Sequence, residues 1–263
     1  MIRSPLGLRL EPDATRSTRD QVLQAAQLGA RGVVLEAIGE LGPDRLGETG
    51  RRDLLRLLRS AELSLVAMVL PTRRPFDTVE QLEDRLARAE RAFAMAYDLG
   101  CNLVLVRVGG VPGEADPARH EVFRGAVAEL ARRADHRGVR LALEAGAEAG
   151  AVLRGFLDSI GAPLLGASVD PGALLRMGHD PVAAVLALNT QVFHAYATDA
   201  AGAGATRLAL ASRGPGGEGA LDWEGYLGSL EEVDYRGSLT IWPDPGSDVT
   251  AGFRAIKARL DRF

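Results

Sequence analysis

Glu144 ends the apolar run Val139–Glu144 and Asp170 ends the run Leu165–Asp170, so two carboxylates close two consecutive apolar segments. Carboxylates placed this way can ligate a cation or move a proton. Either one alone could instead cap the helix that follows it. A third run, Val192–Thr198, carries His194, Tyr196 and Thr198 on one side by strand alternation, with Asp199 just beyond. An imidazole there could meet substrate or metal, or could be a hydrogen-bonded core residue, and the residue types leave both open. His179, in Met177–Pro181, reads as a residue at a helix start.

The elements that must position these groups alternate along the chain. Short runs rich in Val, Leu and Ile, with little polar alternation, mark strands at Leu6–Leu10, Gly32–Glu36, Ser64–Leu70, Leu103–Val108, Val139–Glu144, Leu165–Asp170, Val192–Thr198 and Leu239–Trp242. Between them lie amphipathic helical stretches, several ending in a glycine that suits a left-handed helix end. Thr18–Gln21 and Thr78–Gln81 fit a capping box, and Asp116–Pro117 a capped start with proline in the first turn. Leu82, Leu86, Ala89, Phe93 and Ala96 recur at helical spacing, with Glu83, Arg85, Arg88 and Glu90 turned away. Eight strands with intervening helices and no break in composition predict one (β/α)8 barrel domain over residues 1–263, whose chemistry belongs at the strand C-terminal ends. No GxGxxG follows a strand in the way dinucleotide binding requires.

Composition fits that architecture. Of 263 residues, 46% are hydrophobic and 25% charged, enough apolar material for a large core. The 31 basic and 35 acidic residues give a formal charge of −4, and no basic run is dense enough to track a nucleic acid backbone. The lone Cys101 excludes an intrachain disulfide and reads as a small core residue. No run approaches the length of a membrane span and Met1–Leu10 lacks the apolar run of a signal segment, so a cytoplasmic protein is expected.

Several stretches together resemble the sugar phosphate isomerase/epimerase family, the xylose isomerase-like TIM barrels. They are Leu141–Glu144, Ser168–Gly172, Phe193–Ala200, Arg213–Trp223 and Tyr235–Ile241, the most specific being Gly–Gly–Glu–Gly–Ala–Leu–Asp–Trp ahead of Tyr–Arg–Gly. The resemblance implies a divalent metal, Mn, Mg, Co or Zn, held by a Glu, an Asp, a His and a second Glu from the last four strands. Glu144 and Asp170 match the first two. The histidine slot falls on Tyr196 and the final glutamate slot on Trp242, so the implied ligand set is incomplete. Metal binding is therefore expected to be weak or absent, with Asp244, His194 or Asp199 as substitute donors, and to return on Tyr196→His with Trp242→Glu.

By the same resemblance the protein acts on a small sugar or sugar phosphate through an enediol(ate), with Glu144 moving the proton. Arg213, Asp199, Tyr196, Trp242 and His194 are the expected substrate contacts, and Glu144 and Asp170 the expected metal ligands. The competing reading is a noncatalytic carbohydrate-binding or regulatory barrel in which Tyr196 and Trp242 offer a stacking surface. Four histidines are too few for the multi-metal cluster of an endonuclease on this fold. Neither membrane nor nucleic acid is an expected partner, and a homo-oligomer is compatible with the sequence.

Overall fold

Apolar strands without polar alternation need cover on both faces, and the chain supplies it by closing them into a parallel barrel sheathed in helices. The computed structural model describes residues 4–113, 115–144, 148–199, 221–243 and 248–263. Strands β1 (Leu6–Leu10), β2 (Gly32–Glu36), β3 (Ser64–Leu70), β4 (Leu103–Val106), β5 (Arg140–Glu144), β6 (Leu165–Val169), β7 (Val192–Tyr196) and β8 (Leu239–Ile241) follow one another round a closed barrel in chain order. The first strand closes on the last, with Leu6 beside Leu239 and Leu8 beside Ile241. No described helix is long and apolar enough to cross a membrane.

Two cores result from strand alternation. Leu8, Leu35, Met68, Val104, Leu141 and Ala195 turn outward and pack beneath the helices. Val34, Ala67, Val69, Leu103, Leu105, Ala142 and Tyr196 fill the barrel interior, with Trp242 against them. Cys101 joins the outer core, and burial pushes its thiol pKa up to about 11, so it packs as a neutral thiol.

The helices are α1 (Thr18–Gln27), α2 (Glu48–Ser60), α3 (Leu82–Asp98), α4 (Pro117–His136), α5 (Gly150–Ile160), α6 (Pro171–Arg176), α7 (Pro181–Leu188), α8 (Trp223–Glu232) and α9 (Val249–Leu260). Asp116 caps α4 by accepting from the Arg119 amide, as its sequence predicts. The two expected capping boxes are absent. Ser17, one residue before the expected Thr18, caps α1. Before α3 the chain enters through Gln81 at φ 54°, and Arg85 reaches back to the carbonyls of Thr78 and Glu80. An arginine thus satisfies carbonyls where a threonine hydroxyl was expected to satisfy amides.

The Tyr–Arg–Gly stretch fixes the barrel seam. Tyr235 folds back so that its hydroxyl accepts from the Ala195 amide of β7 (3.1 Å) and donates to the Ser238 carbonyl (2.8 Å). A Cβ at residue 237 would lie 2.3 Å from that hydroxyl, which is why glycine follows. The helix layer has a similar close approach, for a Cβ on Gly150 of α5 would lie 2.4 Å from the Ala184 Cα of α7. Gly150→Ala is expected to lose about 1–3 kcal/mol in urea unfolding through overpacking. The exposed Gly125 of α4 has open space around it, so Gly125→Ala should gain about 0.5–1 kcal/mol. Equal effects of the two would show that the α5–α7 approach is looser than described.

Candidate active site

Arg9 sits in β1 between Leu8 and Leu10, and since these face the helices, its side chain must enter the barrel. There the side chain is 3% exposed, with both terminal nitrogens hydrogen-bonded and Nε without a hydrogen-bond partner among the described residues. Nη1 donates to Glu144 Oε1 of β5 (2.6 Å) and to the Tyr196 hydroxyl of β7 (2.6 Å). Nη2 donates to Glu36 Oε1 at the end of β2 (2.8 Å). Its plane lies against Trp242, with the guanidinium carbon 3.7 Å from the ring centroid. Burial opposes the charge, but Tyr196, Glu144 and Glu36 outweigh it and hold the Arg9 pKa above its ordinary value.

Glu144 is the hub on the other side. Its Oε1 accepts from Arg9 and also from the Tyr196 hydroxyl (3.1 Å). Its Oε2 is buried, accepts no hydrogen bond from the described residues, and lies 3.3 Å from Nη2 of Arg107. β4 and β5 pair Val106 with Leu143, so Arg107 and Glu144 stand next in register. The Arg107 side chain is 60% exposed, whereas that of Glu144 is 7% exposed. Tyr196 is fully enclosed, and burial together with the Glu144 carboxylate raises its phenol pKa well above the usual range, so it remains a donor. Trp242 lies 5.3 Å from Tyr196 between ring centroids, and its indole N–H donates to Glu11 (3.0 Å). The stacking surface expected of these two rings is thus occupied within the protein: one is buried and the other carries Arg9.

The remaining expected residues have other attachments. Asp170 caps α6 through the Ala173 amide (3.1 Å), accepts from the Thr198 hydroxyl, and has Arg176 at 3.9 Å. Asp199 accepts from the Leu221 amide and the Trp223 indole (both 3.2 Å), which docks the Leu–Asp–Trp stretch, while Asp222 caps α8. His194 lies a layer below Tyr196, 0% exposed, its ring nitrogens each 2.8 Å from the hydroxyls of Ser168 and Thr240. Arg213 and Asp244 lie outside the described residues.

These residues do not fit a divalent ion. Among the described residues no three His, Cys, Asp or Glu side chains converge as a ligand set. A guanidinium already bridges two of the mouth's carboxylates, occupying the Glu144 oxygen a divalent ion would need and offsetting with its own charge the attraction those carboxylates would exert. A cavity of about 650 Å³ does open beside the group, over the ends of β1 and β2, lined by Glu11, Asp13, Arg16, Thr18, Glu36 and Glu40. It meets the charge cluster at Glu36 rather than at Glu144.

Arg9, Glu36 and Arg107 are the site residues that sequence reasoning overlooked. Glu36 ends an apolar strand just as Glu144 does, so the same rule applied to Gly32–Glu36 finds it. A lone arginine inside Leu–Gly–Leu–Arg–Leu is also a signal, because an interior charge in a barrel strand needs partners.

A family model described as a xylose isomerase-like TIM barrel matches residues 22–259. Similar solved structures include a xylose isomerase domain protein from Planctomyces limnophilus, 21% identical, covering 98% of this chain and 95% of that one at a TM-score of 0.80. A D-allulose 3-epimerase from Methylomonas sp. in complex with D-allulose is 18% identical, with coverage of 99% and 98% and a TM-score of 0.74. A D-psicose 3-epimerase from Clostridium cellulolyticum H10, with D-tagatose, is 14% identical, with coverage of 98% and 97% and a TM-score of 0.74. At these identities the likeness is one of fold. No curated protein is matched.

The enclosed histidine sets a pH dependence. Burial, and secondarily the charge of Arg9, hold the His194 pKa down at about 3, against 6.5 for a free imidazole. The unfolded chain therefore takes up a proton near pH 6.5 that the folded protein refuses. The stability His194 contributes is complete above that pH and is lost as pH falls toward 3, by up to about 1.4 kcal/mol per pH unit. Glu148, whose carboxyl is raised by burial, acts in the opposite sense and is common to both proteins compared. Urea unfolding of the wild type should weaken between pH 6.5 and 5, with His194→Gln flatter by about 1 kcal/mol per unit. Equal slopes would mean that the folded protein protonates His194.

Proposed function

The chain belongs to the xylose isomerase-like TIM barrel family, and from that premise we propose that it acts on a small carbohydrate by proton transfer at the C-terminal mouth of the barrel, with Glu144 moving the proton. The observation that carries this reading is the asymmetry of that carboxylate. Oε1 is fixed by Arg9 and Tyr196, while Oε2, itself buried, accepts no hydrogen bond from the described residues and would meet substrate on displacement of the exposed Arg107 side chain beside it. A base must be held in place and still have a lone pair to use.

In the proposed step the C–H bond next to a sugar carbonyl breaks toward Glu144 and its electron pair moves to the carbonyl oxygen, giving an enediolate. The same carboxyl returns the proton to the neighbouring carbon, and the hydroxyl proton passes between the two oxygens. This one-base shift interconverts an aldose and a ketose. Inversion at one carbon calls for a second group on the opposite face, and the position implied for it is Trp242, which cannot titrate. Arg107, exposed and beside Oε2, is the donor that a sugar oxygen or sugar phosphate would meet. The enclosure of Tyr196 and the stacking of Trp242 on Arg9 count against the noncatalytic stacking site. A cytoplasmic location accords with this reading.

Deuterium exchange at the carbon adjacent to the carbonyl, followed by NMR over a panel of aldoses, ketoses and their phosphates, tests it. Wild type should exchange label with one of them, and Glu144→Gln should slow that exchange by about 10²–10⁴-fold. Undiminished exchange in Glu144→Gln removes Glu144 from the step. No exchange with any sugar in the wild type favours the noncatalytic barrel.

A further inference from the structure

The mouth expected to hold a metal already holds a cation. Arg9 lies among Glu144, whose position matches a metal ligand of the family, Tyr196 and Trp242, which occupy the two slots where the family's donors are missing, and Glu36. The replacements suit a guanidinium as well as they fail a metal. The tyrosine hydroxyl accepts from Nη1 at 2.6 Å, and the indole presents an electron-rich face at 3.7 Å, which attracts a planar cation. Loss of two donors by drift would leave a buried carboxylate without compensation, whereas here every changed position contacts the arginine.

We infer that the Arg9 guanidinium is the permanent cation of this mouth, standing where the family's divalent ion would stand, and that Tyr196 and Trp242 are its binding site rather than the remains of a metal site. Arg9 is a positioning residue: it fixes Glu144 Oε1 and leaves Oε2 toward Arg107. The restoration expected from the sequence is therefore insufficient, since Tyr196→His with Trp242→Glu supplies donors to a place already filled. The inference rests on the geometry of the charge cluster and stands or falls independently of whether any sugar is turned over.

Calorimetry with MnCl2, on proteins whose circular dichroism matches the wild type, provides the test. Wild type and the Tyr196→His/Trp242→Glu protein should bind Mn²⁺ no tighter than millimolar. Adding Arg9→Ala to the double variant should tighten binding by at least about 100-fold, or about 2.7 kcal/mol. A parallel protein that also carries Glu36→Gln removes the carboxylate that loss of Arg9 would strand. Micromolar binding by the wild type or the double variant overturns the inference, as does a folded Arg9→Ala form that binds no tighter than its parent. A second measurement needs no designed metal site. The single Arg9→Ala protein should have a lower Tm than the wild type, and millimolar methylguanidinium chloride should restore part of the loss while leaving the wild-type Tm unchanged. A Tm indifferent to methylguanidinium would show that the place is not a cation site.

Discussion

One buried guanidinium organises the mouth of this barrel. Arg9 starts on β1 and makes its shortest contacts on β5 and β7, so its side chain bridges strands that the sheet itself does not pair. Removing an isolated charge from water is costly, and here the cost is offset by two carboxylates, a phenol and an indole face. Each of those partners is in turn constrained. Glu144 is fixed through one oxygen, Trp242 is anchored outward on Glu11, and Tyr196 is pinned at both ends, its carbonyl accepting from the Tyr226 hydroxyl (3.0 Å).

The charge also governs the layer beneath. His194 lies edge-on to Tyr196 with ring centroids 4.5 Å apart, and the positive field of Arg9 adds to burial in keeping the imidazole neutral. A neutral ring can sit between the hydroxyls of Ser168 and Thr240, donating to one and accepting from the other, where an imidazolium would face both as a donor. The polar floor and the charged mouth are thus a single electrostatic arrangement in two layers, enclosed by aliphatic side chains of the inner core.

Strand positions were legible because a parallel barrel buries both faces, so each strand is an apolar run. All eight expected runs are strands, and β1, β2 and β3 keep their expected bounds. The place of Glu144 at the end of β5 was legible because a carboxylate closing an apolar run marks where the strand stops. Asp170 shows the limit of that rule, since it caps α6 and receives Thr198 as well. Arg9 was legible as a charge inside an apolar strand, but its partners were not, because they lie 135 and 187 residues away in the chain and only closure of the barrel brings them together. Asp199 and the Leu–Asp–Trp stretch matched a family pattern, yet their geometry is that of one segment docking on another. The capping boxes failed for a local reason: Ser17 and the Arg85 guanidinium were competing partners for the same helix entrances.

Closure of β1 on β8 bears on the order in which the protein assembles. Arg9 leaves the ribosome early, but Glu144 follows 135 residues later, Tyr196 after 187, and the Trp242–Glu11 bond spans 231. Until the last strand is made, the growing sheet has an open edge at β1 and a hydrated guanidinium where its interior will be. Long-range closures of this kind slow folding, because chain entropy is lost before the contacts that repay it can form. The match to the Arg9 charge is made in stages along the chain, by Glu36 from the second strand, then Glu144 and Tyr196, with the Trp242 ring arriving last, just past the strand that closes the barrel.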